Sequence, residues 1–394
     1  MLRISDDERR ARLAIRHHLA AGAKSDDPVA LAADLVGLHA TDPPTVFLST
    51  AGRLINPADA VPALERALYD DRRLVRTLCM RRTMFVVPVD LVPVVQGACT
   101  DALVPGERRR LVQMIEDQGV ATDGSAWLEA VEARTVAELR RVGQATGLEL
   151  SRSVPGLDEQ LLFGEGRKWA GKVGMSTRVL FLLSTEQRVV RGRPKGSWTS
   201  SRYRWAPMEA WLPGGSSPVE AGEARIRLVR RWLAAFGPAT TADVKWWTGW
   251  TVAQARAALV GAEAVAVGLE DGPGWVLPGD EDPVEAGDPW VALLPALDPT
   301  TMGWRGRGWY LGEHGPLLFD RNGNAGPTVW ADGRIIGGWA QRPDGKVVWE
   351  LLDDAGRDTV NAVTGAAGDL EAWLGPTRIK PRFATPLQRS LSGI

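Results

Sequence analysis

Cysteine and long hydrophobic runs are scarce in this sequence of 394 residues. Only Cys79 and Cys99 occur, which are too few for a disulfide framework and lack the paired spacing of a zinc site. No segment approaches the ~20 consecutive apolar residues that a membrane span requires. Because the N-terminal residues also lack an apolar segment behind their charges, we predict a soluble cytoplasmic protein without membrane contact.

Motifs for metal and cofactor chemistry are missing as well. The sequence has no His-Glu-x-x-His pair and no dinucleotide-binding fingerprint. One stretch, Gly166 to Lys172, has the glycine and lysine spacing of a phosphate loop, but Val173 stands where a hydroxyl should reach magnesium. We therefore expect no cofactor and no metal.

A surplus of positive charge is also absent, since 47 lysines and arginines face 48 acidic residues and give a net charge of −1. Nucleic-acid binding must therefore depend on local clustering of basic residues. Lysine accounts for only seven of the basic residues, so arginine supplies nearly all the positive charge. A GC-rich coding sequence is the simpler explanation of this bias, and bidentate binding of phosphate by guanidinium is the functional one.

The stretch Gly37-Leu38-His39-Ala40-Thr41-Asp42-Pro43 lies between two apolar runs. In an extended conformation, residues two apart point to the same side. We therefore predict that His39 and Thr41 share one face and aim an imidazole and a hydroxyl at one point, with Ala40 in the core. A structural histidine with satisfied hydrogen bonds is the simpler alternative.

Helical periodicity followed by short β-rich runs occurs three times along the chain, which is the winged-helix pattern. We place these units at residues 1–105, 106–215 and 222–280, and a small β-rich unit with a basic tail at residues 281–394. Asn-Gly and Asp-Gly turns between the short β-rich runs indicate this last unit. The fold class expected is therefore α+β.

Two local predictions concern the second unit. A continuous helical pattern runs from Leu103 to Val131. Thr135 followed three residues later by Glu138 has the spacing of a capping box, which predicts the start of another helix there.

The strongest local charge asymmetry is a predicted hairpin from Gln187 to Pro207, with six basic residues and no acidic one. Cations interleaved with Trp and Tyr on a protruding ribbon suit a DNA groove or a splayed strand. A solvated edge strand that uses charge to avoid aggregation is an equally good explanation. The hairpin predicted in the third unit is acidic, so that unit is expected to read bases weakly or to be structural.

Several motifs, in this order, resemble those of the bacterial winged-helix DNA glycosylases of the AlkZ and YcaQ kind. They are Gly37 to Pro43, Val75-Arg76-Thr77 with Met80-Arg81-Arg82-Thr83, the basic hairpin, Gly237-Pro238-Ala239-Thr240 with Trp246-Trp247-Thr248-Gly249, and Leu294 to Pro299. The resemblance covers nearly the whole chain. It implies tandem winged-helix motifs that form a C-shaped scaffold around duplex DNA, and excision of alkylated purines, including those in interstrand crosslinks.

The catalytic motif of that family is Gln, an apolar residue, and then Gln or Asp, and it aligns with His39-Ala40-Thr41. Both polar positions keep hydrogen-bonding side chains, but neither is the usual residue. The resemblance implies that His39 accepts a proton from the attacking water and that Thr41 orients this water. No lysine is near the motif in sequence, so we expect a monofunctional glycosylase without a Schiff base.

The sequence therefore predicts a monomeric, nucleoid-associated DNA glycosylase that acts on double-stranded DNA with alkylated bases, with His39 and Thr41 as catalytic residues. The residues expected to hold the DNA are Arg82, Arg191, Arg193, Lys195, Arg202, Arg204 and Arg382. The alternative is a non-catalytic winged-helix DNA-binding protein, either a regulator or a lesion binder, in which His39→Ala changes nothing. A third interpretation, a protein-interaction scaffold, predicts no salt-dependent affinity for DNA.

Overall fold

The structure, a computed structural model, describes residues 2–164 and 170–393. Helices and strands alternate along the chain, which confirms the predicted mixed α+β class. Most of the phosphate-loop-like stretch from Gly166 to Lys172 lies outside the described residues. None of the helices in the described ranges is both long and apolar enough to cross a membrane.

The first part of the chain carries the His39 stretch at the edge of a small sheet. Its elements are α1 (Asp6–Arg16), α2 (Pro28–Asp34), β1 (Leu38–His39), α3 (Pro43–Ala51), α4 (Ala60–Glu65), β2 (Leu74–Leu78), β3 (Met84–Pro88) and α5 (Val92–Val95). The sheet has the order β1-β3-β2 with antiparallel pairs. β1 is therefore an edge strand, and it is only two residues long.

The second part of the chain ends in the basic hairpin. Its elements are α6 (Val104–Asp117), α7 (Gly124–Val142), β4 (Ala145–Thr146), α8 (Gly147–Ser153), β5 (Gln160–Phe163), β6 (Gly171–Gly174), α9 (Met175–Thr185), β7 (Val189–Pro194) and β8 (Tyr203–Pro207). β4, β8 and β7 form a three-stranded sheet in that order. The predicted antiparallel hairpin is present as β7 and β8, with Arg191 opposite Trp205.

Two local predictions for this part were wrong. The helix expected from Leu103 to Val131 is divided into α6 and α7, because the backbone has a φ of 69° at Gly119 and Asp123 caps a new helix by accepting from the Ala126 N–H. Thr135 does not cap a helix, since it is buried inside α7 and its hydroxyl donates to a carbonyl one turn earlier.

The third part contains three helices and a two-stranded sheet, close to the predicted bounds. They are α10 (Ala221–Phe236), α11 (Thr241–Thr248), α12 (Val252–Gly261), β9 (Val265–Leu269) and β10 (Gly272–Val276). Thr240 and Thr251 each form a capping box, which explains where α11 and α12 begin. Trp247 of α11 packs against Phe85 of β3 with ring centroids 6.3 Å apart, so this part shares a core with the first sheet.

The turn-rich C-terminal part forms a four-stranded antiparallel sheet in the order β11-β12-β13-β14. Its elements are β11 (Val291–Leu294), α13 (Gly308–Leu311), α14 (Gly315–Leu318), β12 (Thr328–Ala331), β13 (Arg334–Gln341), β14 (Val347–Leu351), α15 (Gly356–Leu374) and α16 (Pro386–Ser392). Gly333 and Gly345 have positive φ in the turns between strands, as Asp-Gly turns require. The helix α15 is the longest element of this part, and α16 follows it near the end of the chain.

A fully buried ion pair joins α3, the helix that follows the His39 stretch, to the C-terminal part. Arg53 donates to both carboxylate oxygens of Asp298, at 2.6 and 2.8 Å. The same carboxylate accepts from the Ser49 hydroxyl at 2.7 Å and from the Thr300 N–H at 2.9 Å. Burial opposes ionisation, but Arg53 and these bonds hold the pKa of Asp298 below its ordinary value. The C-terminal end of α3 is therefore anchored to the C-terminal part of the chain.

Candidate active site and nucleic-acid interface

The sheet of β1, β3 and β2 places His39 and Arg76 on opposite faces. His39 stands opposite Phe85, and their ring centroids are 5.0 Å apart on the face that packs toward Trp247. Arg76 stands opposite Val86, the neighbour of Phe85, and so points to the other face. That second face is the one against which the basic hairpin lies.

His39 is enclosed by the protein, with 4% of its surface exposed. Its Nδ1 atom has no hydrogen-bond partner among the described residues. Burial, followed by the charge of Arg81, lowers the pKa of His39 to about 3. The imidazole is therefore neutral at physiological pH, and it faces the packed side of the sheet.

Thr41 has a different environment, because β1 ends before it. Ala40 still donates to the Met84 carbonyl at 2.8 Å, but the chain then turns into α3. The Thr41 hydroxyl is buried and has no partner in the described part of the chain. Alternation along a strand does not extend to Thr41, and the structure brings Thr41, but not His39, to the cleft described next.

A cleft of about 500 Å³ lies between the His39 stretch and the basic hairpin. Its walls come from three distant segments of sequence and from the C-terminal tail. They are formed by Ala40, Thr41 and Pro43, by Thr146, Gly147 and Leu148, by Arg191, Lys195, Ser201, Arg202, Tyr203 and Trp205, and by Arg382. Four of these residues are basic and none is acidic, so the cleft attracts anions.

The structure divides the seven basic residues predicted to bind DNA into two groups. Arg191, Lys195, Arg202 and Arg382 line the cleft. Arg193 instead pairs with Glu65 at 2.6 Å and with Asp70 at 3.0 Å.

Arg204 and Arg82 also lie away from this cleft. Arg204 lines a second cleft, of about 680 Å³, whose lining includes Arg193 and the carboxylates of Asp70 and Glu209. Arg82 is exposed in the turn between β2 and β3 and pairs with Glu107. The acidic neighbours make these positions less attractive to phosphate than the first cleft.

The tip of the basic hairpin does not protrude as predicted. Trp198 packs between Phe47 of α3 and Trp373 of α15, with ring centroids 5.2 and 5.7 Å apart. This contact holds the hairpin tip against α3 and α15.

Sequence reasoning missed three residues at this site. Arg76 is 2% exposed and donates from Nη1 to the Ala40 carbonyl at 3.0 Å. Tyr203 is buried on the cleft wall, and its hydroxyl has no partner in the described ranges. Burial raises the pKa of Asp42 to about 6, against the charge of Arg382. Arg76 and Asp42 both lay in motifs used for the resemblance, but neither was predicted as a site residue.

Comparison with known proteins identifies the class to which this fold and cleft belong. The model of the DNA glycosylase AlkZ-like family matches residues 32–373. The chain therefore belongs to the AlkZ-like DNA glycosylase family, which confirms the predicted glycosylase function. No curated protein matches the chain.

Among solved structures, the chain is similar to the DNA glycosylase AlkZ of Streptomyces sahachiroi. The TM-score is 0.72 with 20% sequence identity, and the match covers 97% of this chain and 100% of that one. At this identity the likeness establishes a shared fold.

Proposed function

We propose that the cationic cleft is the active site of a monofunctional DNA glycosylase that hydrolyses the N-glycosidic bond of alkylated purines in duplex DNA. Bulky adducts and interstrand crosslinks belong to the same substrate class. The observation that carries this proposal is the position of Thr41, which lines a cleft with four basic residues and whose buried hydroxyl has no hydrogen-bond partner among the described residues.

Hydrolysis of the N-glycosidic bond of an alkylated purine needs little assistance from the protein. Alkylation at N7 or N3 places positive charge on the purine, so the bond from C1′ to the base breaks with its electron pair moving to the base. A water oxygen then adds to C1′ and releases a proton. The Thr41 hydroxyl both accepts and donates hydrogen bonds, so it suits the orientation of this water beside C1′.

The two catalytic positions have separate roles in this proposal. Thr41 contacts the water or the sugar, because it lines the cleft. His39 is a neutral imidazole packed on Phe85, and it supports the strand that presents Thr41. Its catalytic contribution is therefore indirect.

A monofunctional mechanism fits the nature of the cleft. Lys195 is the one lysine on its described walls, and it is exposed on the hairpin. We assign Lys195 to phosphate binding, so borohydride should trap no covalent complex with DNA.

The larger architecture is part of the same proposal. Helices followed by antiparallel strands occur within residues 1–105, 106–215 and 222–280, which supports three winged-helix units followed by the β-rich unit at residues 281–394. We propose that they curve around duplex DNA as a C-shaped scaffold and act as a monomer associated with the nucleoid.

Single-turnover incubation with duplexes that carry N7-alkylguanine or a defined crosslink tests the function. Abasic product is measured by alkaline cleavage. Thr41→Val removes the hydroxyl at nearly constant volume and should lower the rate at least ~10-fold. Thr364→Val, at an exposed position of α15, is the matched control. A Thr41→Val rate equal to that of wild type would contradict the assignment.

A second candidate is a DNA-binding protein without catalysis. Two observations favour this second function: His39 is enclosed away from the cleft, and the residues of the motif are unusual for the family. It predicts salt-dependent binding of lesion DNA by wild type, Thr41→Val and His39→Ala alike, with no abasic product from any of them.

A further inference from the structure

Three arginines from distant parts of the chain meet beside Thr41. Arg76 is on β2, Arg191 is on β7, and Arg382 precedes α16. The Cζ atoms of Arg76 and Arg191 lie 4.9 and 5.6 Å from the ring centroid of Tyr203. Burial, and then the charges of Arg76 and Arg382, lowers the pKa of Arg191 to about 10. Arg191 therefore interacts electrostatically with both of the other guanidinium groups.

The backbone of the motif holds two of these groups in place. Arg382 donates from Nη1 to the Thr41 carbonyl at 2.8 Å. Arg76 donates to the preceding carbonyl, that of Ala40, at 3.0 Å. Arg191 is held by cation–π contacts with Tyr203 and with Trp205, whose ring centroid is 5.2 Å from its Cζ atom.

No carboxylate of the described residues forms an ion pair with this cluster. Within residues 2–164 and 170–393, none of the three arginines forms an ion pair, in contrast to Arg193 with Glu65 and Arg53 with Asp298. Asp42 interacts with the charge of Arg382 but makes no ion-pair contact with it.

Like charges held together and partly removed from water oppose folding unless a ligand supplies the opposite charge. Arg76 is 2% exposed, and its Nε atom has no partner in the described chain. Arg76 is thus a buried, incompletely paired guanidinium that lies behind the two cleft-lining guanidinium groups. This arrangement is typical of an anion-binding site.

We propose that Arg191 and Arg382 bind a single phosphodiester of the DNA backbone, the one that flanks the target nucleotide, with Arg76 behind them as a positioning residue. This inference rests on the proposed function, because it requires DNA in the cleft. Guanidinium forms paired, charge-assisted bonds with phosphate oxygens.

The geometry restricts which phosphate is bound. The guanidinium of Arg382 already bonds the Thr41 carbonyl, so a phosphate on its remaining N–H groups lies within one side-chain length of Thr41. Only a phosphate directly 5′ or 3′ of a nucleotide whose C1′ is at Thr41 meets this condition. The same arginine thus links phosphate binding to the placement of the reacting carbon.

Methylphosphonate substitution tests the inference, because it removes the charge of one linkage at a time. The probe is a duplex with one 2′-fluoro N7-methylguanine, which is cleaved too slowly to interfere with binding. Its Kd is measured at fixed salt for wild type, Arg191→Gln and Arg382→Gln, with methylphosphonate scanned along the lesion strand. Arg204→Gln, on the same hairpin but outside this cleft, is the matched control.

At one linkage beside the lesion, methylphosphonate should weaken wild-type and Arg204→Gln binding about 10-fold or more. The same substitution should weaken Arg191→Gln and Arg382→Gln binding clearly less than it weakens wild-type binding, because one of the two guanidinium partners of this linkage is already lost. If the loss of affinity caused by methylphosphonate and the loss caused by Arg191→Gln or Arg382→Gln simply multiply at every linkage, no linkage is coupled to either arginine. That result would overturn the inference. Protection of the protein against heat by inorganic phosphate alone, without coupling to any DNA linkage, would overturn it as well.

The failure of this inference is distinct from the failure of the proposed function. Abasic product without linkage-specific coupling refutes the phosphate site and leaves the glycosylase intact. Coupling without abasic product supports the phosphate site and refutes catalysis.

Arg76→Lys, which keeps the buried charge, should retain the linkage dependence, whereas Arg76→Gln should reduce it if the melting temperature shows that the variant is folded.

Discussion

The guanidinium of Arg382 donates a hydrogen bond of 2.8 Å to the carbonyl of Thr41, a residue 341 positions earlier in the sequence. The C-terminal tail therefore completes the cleft that the motif begins. This contact makes the tail part of the candidate site, although the tail is distant from the motif in sequence.

Arg382→Gln should weaken lesion-DNA binding and lower the slope of log K against log salt by about one, because one phosphate contact is lost. Arg382 is exposed, so the melting temperature should change little. Arg389→Gln, in the same tail and also exposed, is the control and should leave the slope unchanged. Equal salt slopes for wild type, Arg382→Gln and Arg389→Gln would contradict a phosphate contact at Arg382.

Arg193 and Arg202 should behave differently although both are in the basic hairpin. Arg202→Gln should lower the salt slope by about one without loss of stability, because its exposed side chain lines the cleft. Arg193→Gln should instead reduce stability by about 1 kcal/mol, because it breaks half-exposed pairs with Glu65 and Asp70. Salt titrations of DNA binding and urea unfolding of the two variants test this difference. A lower salt slope for Arg193→Gln together with a loss of stability for Arg202→Gln would show that Arg193 is the DNA contact.

The burial of His39 should make the protein less stable in mild acid. Its folded pKa of about 3 is below the ordinary value of 6.5, so the unfolded chain binds the proton first as the pH falls. Stability is then fully present above pH 6.5 and is lost as the pH falls toward 3, at up to about 1.4 kcal/mol per pH unit.

His39→Gln should therefore reduce the loss of stability between pH 6.5 and 5, as measured by urea unfolding. His17, whose pKa burial also lowers to about 3, continues to contribute in this variant. An unchanged pH dependence would show that the His39 imidazole is open to water in solution.

Asp42→Asn should stabilise the protein above pH 6. The folded pKa of Asp42 is raised to about 6 by burial, so its ionisation costs stability as the pH rises from 3.8 to 6. The variant should gain about 1 to 3 kcal/mol at pH 7.5 and nothing below pH 4. The Asp42 side chain makes no capping hydrogen bond to α3, so none is lost. Urea unfolding at both pH values tests this, and a variant less stable than wild type at pH 7.5 would contradict it.

Asp298→Asn should destabilise the protein by about 3 to 5 kcal/mol, because it leaves the charge of Arg53 buried and uncompensated. Ser49→Ala removes one hydrogen bond to the same carboxylate and should cost only about 1 kcal/mol. Thermal and urea unfolding measure both variants. Similar losses for the two would indicate that the ion pair contributes little.

Capping residues mark where a helix begins when they act within a few positions of sequence. Thr240 and Thr251 are followed three residues later by Asp243 and Gln254, and both helices begin there. Thr135 and Glu138 have the same spacing, yet they lie inside a helix. The difference is tertiary, because Thr135 is buried against the core of its own part and has a backbone partner.

The sequence allowed residues to be proposed for the candidate site, but it could not give their geometry. Alternation requires a strand that continues, and β1 ends at His39. Its length is set by pairing with β3, which is distant in sequence, so the positions of Thr41 and His39 could not be deduced from their spacing. The role of Arg76 was hidden for the same reason, since only the paired strands show that it lies behind the cleft.

Trp198 is lodged between Phe47 of α3 and Trp373 of α15, so the tip of the basic hairpin is tied to two elements that are distant from it in sequence. Any movement of the hairpin tip away from these helices would withdraw an indole from its aromatic neighbours. Replacing this one tryptophan with a smaller side chain would therefore loosen the hairpin that carries Arg191 and Arg202.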